Sequence, residues 1–213
     1  MIDKSKKGYT VIIANGEFPI HKRPKECIKN ASYTICLDGA LKLTLKNNIT
    51  PNIVIGDGDS ISEMLKEDYA HLLHLFTDQD TNDLTKAINY CIQKGLRKIK
   101  IVAATGKRED HTLGNISLLL EYMHKVEVEM ITDYGIFTPI VSTTKFESIT
   151  GQQVSIFNID NSPVTSHNLK YPLKNLVLDN LWKGTLNESM GEYFTIETKG
   201  RTLVYRTFEV KTK

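Results

Sequence analysis

Short apolar runs separated by helical stripes dominate the first two thirds of the chain. The runs fall at 10–14, 33–37, 53–55, 72–76, 99–103 and 126–131. Several are continuous rather than alternating, the pattern of a strand buried on both faces of a parallel sheet. Within 82–94, Leu84, Ala87, Ile88, Cys91 and Ile92 recur at helical spacing, and Gly95 supplies a stop. Leu113, Ile116, Leu120 and Met123 form a second stripe within 111–124. Strands alternating with helices predict an α/β domain, three-layered and Rossmann-like, with a mostly parallel sheet.

The last third changes character. Segments 154–157, 175–178, 193–198 and 202–210 are strand-like, with no helical stripe between them, and Gly151, Gly184, Gly191 and Gly200 punctuate them as turns. Segments 195–198 and 202–210, separated by Lys199-Gly200-Arg201, read as a hairpin. The expectation is a C-terminal antiparallel β-sandwich over 141–213, following an α/β domain over 1–140.

Composition narrows the function classes. The 213 residues carry a net charge of +2, which argues against a nucleic-acid-binding protein. The basic groups Lys4, Lys6, Lys7 and His21, Lys22, Arg23, Lys25 read as solvated surface. Three widely spaced cysteines, Cys27, Cys36 and Cys91, give neither a disulfide framework nor a metal motif, and fit a reducing cytoplasm. The apolar run 11–14 is too short for a signal peptide, and no stretch approaches the roughly 18 apolar residues of a membrane span.

Polar residues collect where each predicted strand of the first domain ends. The ends are Asn15-Gly16-Glu17, Asp38-Gly39-Ala40, Gly56-Asp57-Gly58-Asp59-Ser60, Thr77-Asp78-Gln79-Asp80 and Ala104-Thr105-Gly106-Lys107-Arg108. In a parallel sheet the carboxyl ends share one edge, where ligands bind. Carboxylates gathered there repel one another unless a cation joins them. Mg²⁺ takes hard oxygen ligands and bridges phosphates, so an acidic edge with glycine turns describes a Mg²⁺–nucleotide site. Thr81 or Asn82 caps the helix that follows, and Asp83 suits its first turn. Lys86 lies near the same helix start, where the dipole disfavours a cation; contact with phosphate oxygens accounts for it. Arg108 precedes another helix and is placed to clamp phosphate, with Asp110 as a cap and His111 as a structural residue or a base. Neither a GxxxxGK[ST] nor a GxGxxG motif is present, so the nucleotide site is of another type.

These residues, in this order, resemble the thiamine pyrophosphokinase family. The family's Asp-Gly-Gly-Ala, Gly-Asp-Phe-Asp-Ser, Asp-x-x-Thr-Asp-x-x-Lys-Ala and Gly-x-Arg-x-Asp-His motifs are matched in turn. They stand here as Asp38-Gly39-Ala40, 56–60, 80–87 and 106–111. Asn168-Leu169-Lys170-Tyr171-Pro172-Leu173 and Leu186-Asn187-Glu188 resemble two later segments, with Leu186 where the family has serine.

The resemblance implies transfer of a pyrophosphoryl group from ATP to thiamine, giving thiamine diphosphate and AMP. It implies Mg²⁺ on Asp57, Asp59 and Asp83. Nucleotide contacts are implied at Asp38, Gly39, Gln79, Asn82, Gly106, Arg108, Asp110 and His111, with Lys86 and Arg108 on phosphates. Thiamine is implied at Tyr171 and Asn187. The first domain would be catalytic, and the second would bind thiamine and form a homodimer with sites at its interface. Leu186 keeps open another heteroaromatic alcohol, such as a pterin, as acceptor, and a ligand sensor on the same fold is a further alternative.

Overall fold

Val11, Ile12 and Ile13 have no exposed surface, so the strand that carries them is covered on both faces. The computed structural model describes residues 7–76 and 80–210. In it this strand, β1 (Lys7–Ile13), is flanked by β2 (Ala31–Leu37) and β5 (Lys98–Val102). β3 (Ile53–Gly56) and β4 (Leu73–Leu75) extend the sheet beyond β2, and β6 (Glu127–Ile131) extends it beyond β5. All five ladders are parallel, so every carboxyl end lies on one edge.

Among the described residues five α-helices fill the connections: α1 (Lys22–Asn30), α2 (Leu41–Lys46), α3 (Glu63–Asp68), α4 (Asp83–Gln93) and α5 (Glu109–Tyr122). α1 packs on β1, β2 and β5, α4 on β2 and β3, and α5 on β6. This is the expected Rossmann-like α/β arrangement. α4 buries Leu84, Ala87, Ile88 and Cys91, as its stripe predicts. α5 departs from its stripe: Leu113 is exposed, and the buried residues are Leu119, Leu120 and Tyr122. Its first turns face the sheet edge, where the cavity described below lies, and only its later turns meet the core. The basic run at 21–25 is also more than surface. His21 caps α1 by accepting the Arg23 N–H at 3.1 Å, and Pro24, Cys27 and Ile28 are buried. Lys4 and Lys6 lie outside the described residues.

A second compact unit begins at Tyr134, ahead of the 140/141 boundary expected from sequence. The reason is β7 (Gly135–Ile140), which pairs antiparallel with β14 (Thr202–Val210). β9 (Gln152–Asn158) flanks β14 on the other side, and β12 (Asn187–Glu188) pairs with β9. A second sheet joins β8 (Thr144–Glu147), β13 (Tyr193–Glu197), β10 (Pro163–His167) and β11 (Leu176–Val177), again antiparallel. Phe146, Phe194 and Ile196 of one sheet and Val154, Ile156 and Val204 of the other share a core, which makes the unit a β-sandwich. Phe194 is completely buried and stacked on Phe146 at 5.1 Å. Truncating such a ring to alanine costs about 3–5 kcal/mol.

The expected hairpin across Lys199–Arg201 does not form. β13 pairs with β8 and β10, whereas β14 pairs with β7 and β9. Each strand turns an apolar face to the shared core, so the two oppose one another across it. The connection is an arch held by side chains. Thr198 Oγ1 accepts the Gly200 N–H at 3.2 Å, and Asn158 Nδ2 donates to Thr202 Oγ1 at 2.8 Å. Among the described residues no helix is long and apolar enough to cross a membrane.

Candidate active site

Asp38 opens a short 3-10 turn directly after β2 and is only 4% exposed. Its carboxylate accepts the Gly39 N–H at 2.6 Å and the Gly58 N–H at 3.0 Å. One side chain thereby ties the turn after β2 to the turn after β3. Gly58 has φ +82, a conformation that glycine adopts without strain, and a Cβ at Gly56 would collide with the Asp38 carboxyl. Burial pushes the Asp38 pKa up from its ordinary 3.8; the Gly58 and Gly39 N–H groups pull the other way, while Asp83 and Asp57 add to the rise. In the next turn Asp57 Oδ1 accepts the Asp59 N–H at 3.1 Å, and Ser60 donates to Asp59 at 3.0 Å. Asp38, Asp57 and Asp59 each offer an oxygen, all within 4.8 Å of one another.

The start of α4 adds a second group. Asn82 caps it, accepting the Thr85 N–H at 2.8 Å. Asp83, in the first turn, pairs with Lys86 at 3.0 Å. Lys86 is 5% exposed, so this cation is held almost out of water and is balanced by a carboxylate beside it. That pairing supplies the local reason for a lysine near a helix N-terminus that the dipole alone disfavours.

The third group precedes α5. Arg108 occupies the N-cap position without a side-chain cap bond, so Asp110 is not the cap. Instead Asp110 grips the Arg108 guanidinium through two bonds, at 3.1 and 2.6 Å, and accepts the His111 N–H at 2.9 Å. These contacts, the Arg108 bond foremost, hold the Asp110 carboxyl at about 2.

The three groups meet at one cavity of about 470 Å³ on the carboxyl edge of the sheet. Asp38, Asp57, Asn82, Asp83, Lys86, Arg108 and His111 line it. Asp59, Gly39, Gly106 and Asp110 belong to the same turns but do not line the cavity, and Gln79 lies outside the described residues. Asn15, Lys107 and Asn115, which were given no role from sequence, also line the cavity. Lys107 Nζ donates to Asn15 Oδ1 at 3.0 Å, and Asn115 donates to the Ala104 carbonyl at 2.9 Å. The signal for Asn15 and Lys107 was position, since Asn15 follows β1 and Lys107 follows β5 on the same edge. The β5 end is also bent, with Ala103 at φ 54 and its carbonyl accepting the Gly16 N–H at 2.5 Å.

In the sandwich, Tyr171 is 61% exposed whereas Asn187 is 5% exposed. The Asn187 amide is spent on backbone: Oδ1 accepts the Tyr171 N–H at 3.0 Å and the Glu188 N–H at 2.9 Å, and Nδ2 donates to the Tyr171 carbonyl at 2.6 Å. Leu186, beside it, is 72% exposed and has φ 59.

A Rossmann-like sheet whose carboxyl edge gathers carboxylates, two lysines and an arginine around one cavity defines an α/β protein with a highly charged cavity at its ligand-binding edge. Two family models match the chain: the thiamin pyrophosphokinase catalytic domain over residues 24–131, and the thiamin pyrophosphokinase substrate-binding domain over 135–205. The chain belongs to the thiamin pyrophosphokinase family and carries that family's activity, ATP-dependent pyrophosphoryl transfer to thiamine. It is 29% identical over 182 residues to thiamin pyrophosphokinase 1 of Caenorhabditis elegans, spanning 78% of this chain and 74% of that protein. It is 37% identical over 89 residues to thiamine pyrophosphokinase of Bacillus subtilis, spanning 40% and 42%. The fold matches the solved Bacillus subtilis thiamine pyrophosphokinase with a TM-score of 0.79, at 23% identity, over 95% of this chain and 100% of that one. The Candida albicans thiamin pyrophosphokinase gives 0.77, at 19% identity, over 95% and 90%.

Proposed function

We propose that the cavity at the sheet edge binds ATP together with Mg²⁺, and that the residues converging there divide the work of the transfer. The observation that carries this reading is the meeting of Asp38, Asp57 and Asp83, from three separate turns, in one cavity with Lys86 and Arg108. The donor set fits the ion. Asp38, Asp57 and Asp59 offer only hard carboxylate oxygens, and Asp38 is buried with no ion pair among the described residues. These three would hold Mg²⁺, and Asp83 faces the same cavity from α4. When bound, the ion would neutralise charge on the polyphosphate oxygens.

Lys86, held by Asp83, presents a fixed positive charge to the phosphates. Arg108, oriented by Asp110, presents a planar fork matched to phosphate oxygens. The thiamine hydroxyl attacks the β-phosphorus, a new P–O bond forms, and the bond to the α-phosphate breaks to release AMP. Asp59 and Asp83 are the two candidate acceptors of the hydroxyl proton, and Asp83 is already paired with Lys86. Prepositioned charge of this kind carries most of the catalysis in such transfers.

In the sandwich, the exposed Tyr171 ring gives thiamine an aromatic face, a cation–aromatic contact worth about 0.5–2 kcal/mol. The working form is a homodimer in which this face meets the cavity of the partner. The three buried thiols suit a reducing cytoplasm. The test is release of AMP from ATP with thiamine, with and without Mg²⁺. Thiamine- and Mg²⁺-dependent AMP is expected, with release largely abolished in Asp57→Asn.

A further inference from the structure

Tyr171 stands on a short loop whose backbone is held throughout. On either side of it, Leu169 and Leu173 are anchored in the sandwich core. The Leu173 N–H donates to Ser166 Oγ at 2.8 Å, and the Ser166 N–H donates back to the Leu173 carbonyl at 2.9 Å. The Lys170 N–H donates to the Glu188 carbonyl at 2.8 Å, and Lys170 Nζ pairs with Glu188 at 3.2 Å. Pro172 further restricts the backbone of Tyr171 to extended conformations. At the apex, the Asn187 amide takes both backbone groups of Tyr171 at once.

The ring itself is treated differently. It is largely exposed, and among the described residues its hydroxyl makes no hydrogen bond; Lys170 Nζ lies over the ring, 5.9 Å from its centre. With the ring this exposed, its direction follows from the backbone that Asn187 grips. Meanwhile both acceptor sites of Asn187 Oδ1 are occupied, one amide N–H is used, and the residue is 5% exposed. A side chain so committed has little left to offer a ligand.

We propose that Asn187 is a positioning residue for acceptor recognition, setting the direction of the Tyr171 ring rather than touching the acceptor. The proposal rests on Tyr171 forming the aromatic face for thiamine. If it holds, removing Asn187 costs acceptor affinity only through Tyr171. An Asn187 that touched thiamine itself would lower affinity independently of the ring.

The test is a double-mutant cycle on the full chain: Tyr171→Ala, Asn187→Ala and the pair, with KM measured separately for thiamine and ATP. Each single change is expected to raise the thiamine KM roughly tenfold and to leave the ATP KM unchanged, and the pair is expected to match either one alone. Asn187→Asp keeps the acceptor oxygen but loses the donor to the Tyr171 carbonyl. It serves if Asn187→Ala does not fold, and it is expected to raise the thiamine KM in the wild-type background and not in Tyr171→Ala. Additive effects of the two sites, or an unchanged thiamine KM in the Asn187 variants, would overturn the proposal. An unchanged thiamine KM in Tyr171→Ala would remove the ring contact it depends on and would also overturn it. A wild-type protein that releases no AMP with thiamine would instead defeat the underlying functional reading.

Discussion

The Asp38 carboxylate accepts the Gly58 backbone N–H at 3.0 Å, so the turns that follow β2 and β3 are joined by one buried acid. Gly58 makes the bond from a left-handed conformation, with the side chain of Leu75 3.1 Å from where a Cβ would lie. Gly58→Ala is therefore expected to cost about 1–2 kcal/mol and to lower turnover by on the order of tenfold, because the strain falls on the turn that carries Asp57 and Asp59. Thermal unfolding and an AMP-release assay on the variant check both parts.

Asp38 also links acidity to stability. Its folded pKa is raised, so between 3.8 and that higher value the native protein binds more protons than the unfolded chain. Asp38's contribution to stability is therefore full below the unfolded value and is lost as the pH rises through the folded one. At neutral pH the buried charge is a burden that a divalent cation relieves. Mg²⁺ is expected to raise Tm more at about pH 7 than at about pH 4, where Asp38, its pKa raised, is protonated and binds the ion poorly. Equal shifts at both pH values would contradict this.

Lys86 is nearly buried and paired to an aspartate that retains access to water. Replacing it with methionine keeps the packing volume and removes the charge. Lys86→Met is expected to fold, to raise the ATP KM by roughly tenfold or more, and to leave the thiamine KM alone. Steady-state kinetics with each substrate varied in turn separate these effects.

Arg108 tests fork geometry against charge. Lysine keeps the positive charge but loses the planar, two-bond match to Asp110 and to phosphate. Arg108→Lys is expected to lower kcat/KM for ATP by on the order of tenfold with little change in Tm, since the pair is exposed. Retention of full kcat/KM would show that charge alone suffices there.

Leu186 holds φ 59 while exposing most of its side chain. Glycine relieves that backbone strain, so Leu186→Gly is expected to raise stability, or hold it level, within about 1 kcal/mol. Leu186→Ser, which restores the hydroxyl found in the family pattern, is expected to alter the thiamine KM with no effect on that for ATP. Tm and KM measurements on the two variants address strain and recognition separately.

Much of this was legible in the chain because burial on both faces of a parallel strand leaves a continuous apolar run, as in Val11–Ile13. Such runs located the sheet, and the sheet located the edge where Asp38, Asp57 and Asp83 meet. Less could be read where local pattern and tertiary partner diverge. The arch at Gly200 has the composition of a hairpin turn, and only the pairing of β13 and β14 with other strands separates the two. α5 carries apolar residues on a turn that faces a cavity, so Leu113 looked like core. Lys107 and Asn15 were seen only as strand-end residues without a role, because their 3.0 Å contact spans two strand ends. The backbone role of Asn187 was hidden for the same reason: Tyr171 lies opposite it on another segment.

The central claim is that acids from separate turns act as one site on a triphosphate, and AMP release by wild type and Asp57→Asn, with ATP and thiamine and with or without Mg²⁺, tests it most directly. Wild type is expected to release AMP only when both thiamine and Mg²⁺ are present. Asp57→Asn is expected to fold with an unchanged Tm and to lose turnover by on the order of 10²-fold or more. Full activity in that variant, or AMP release by wild type without a divalent ion, would contradict the account.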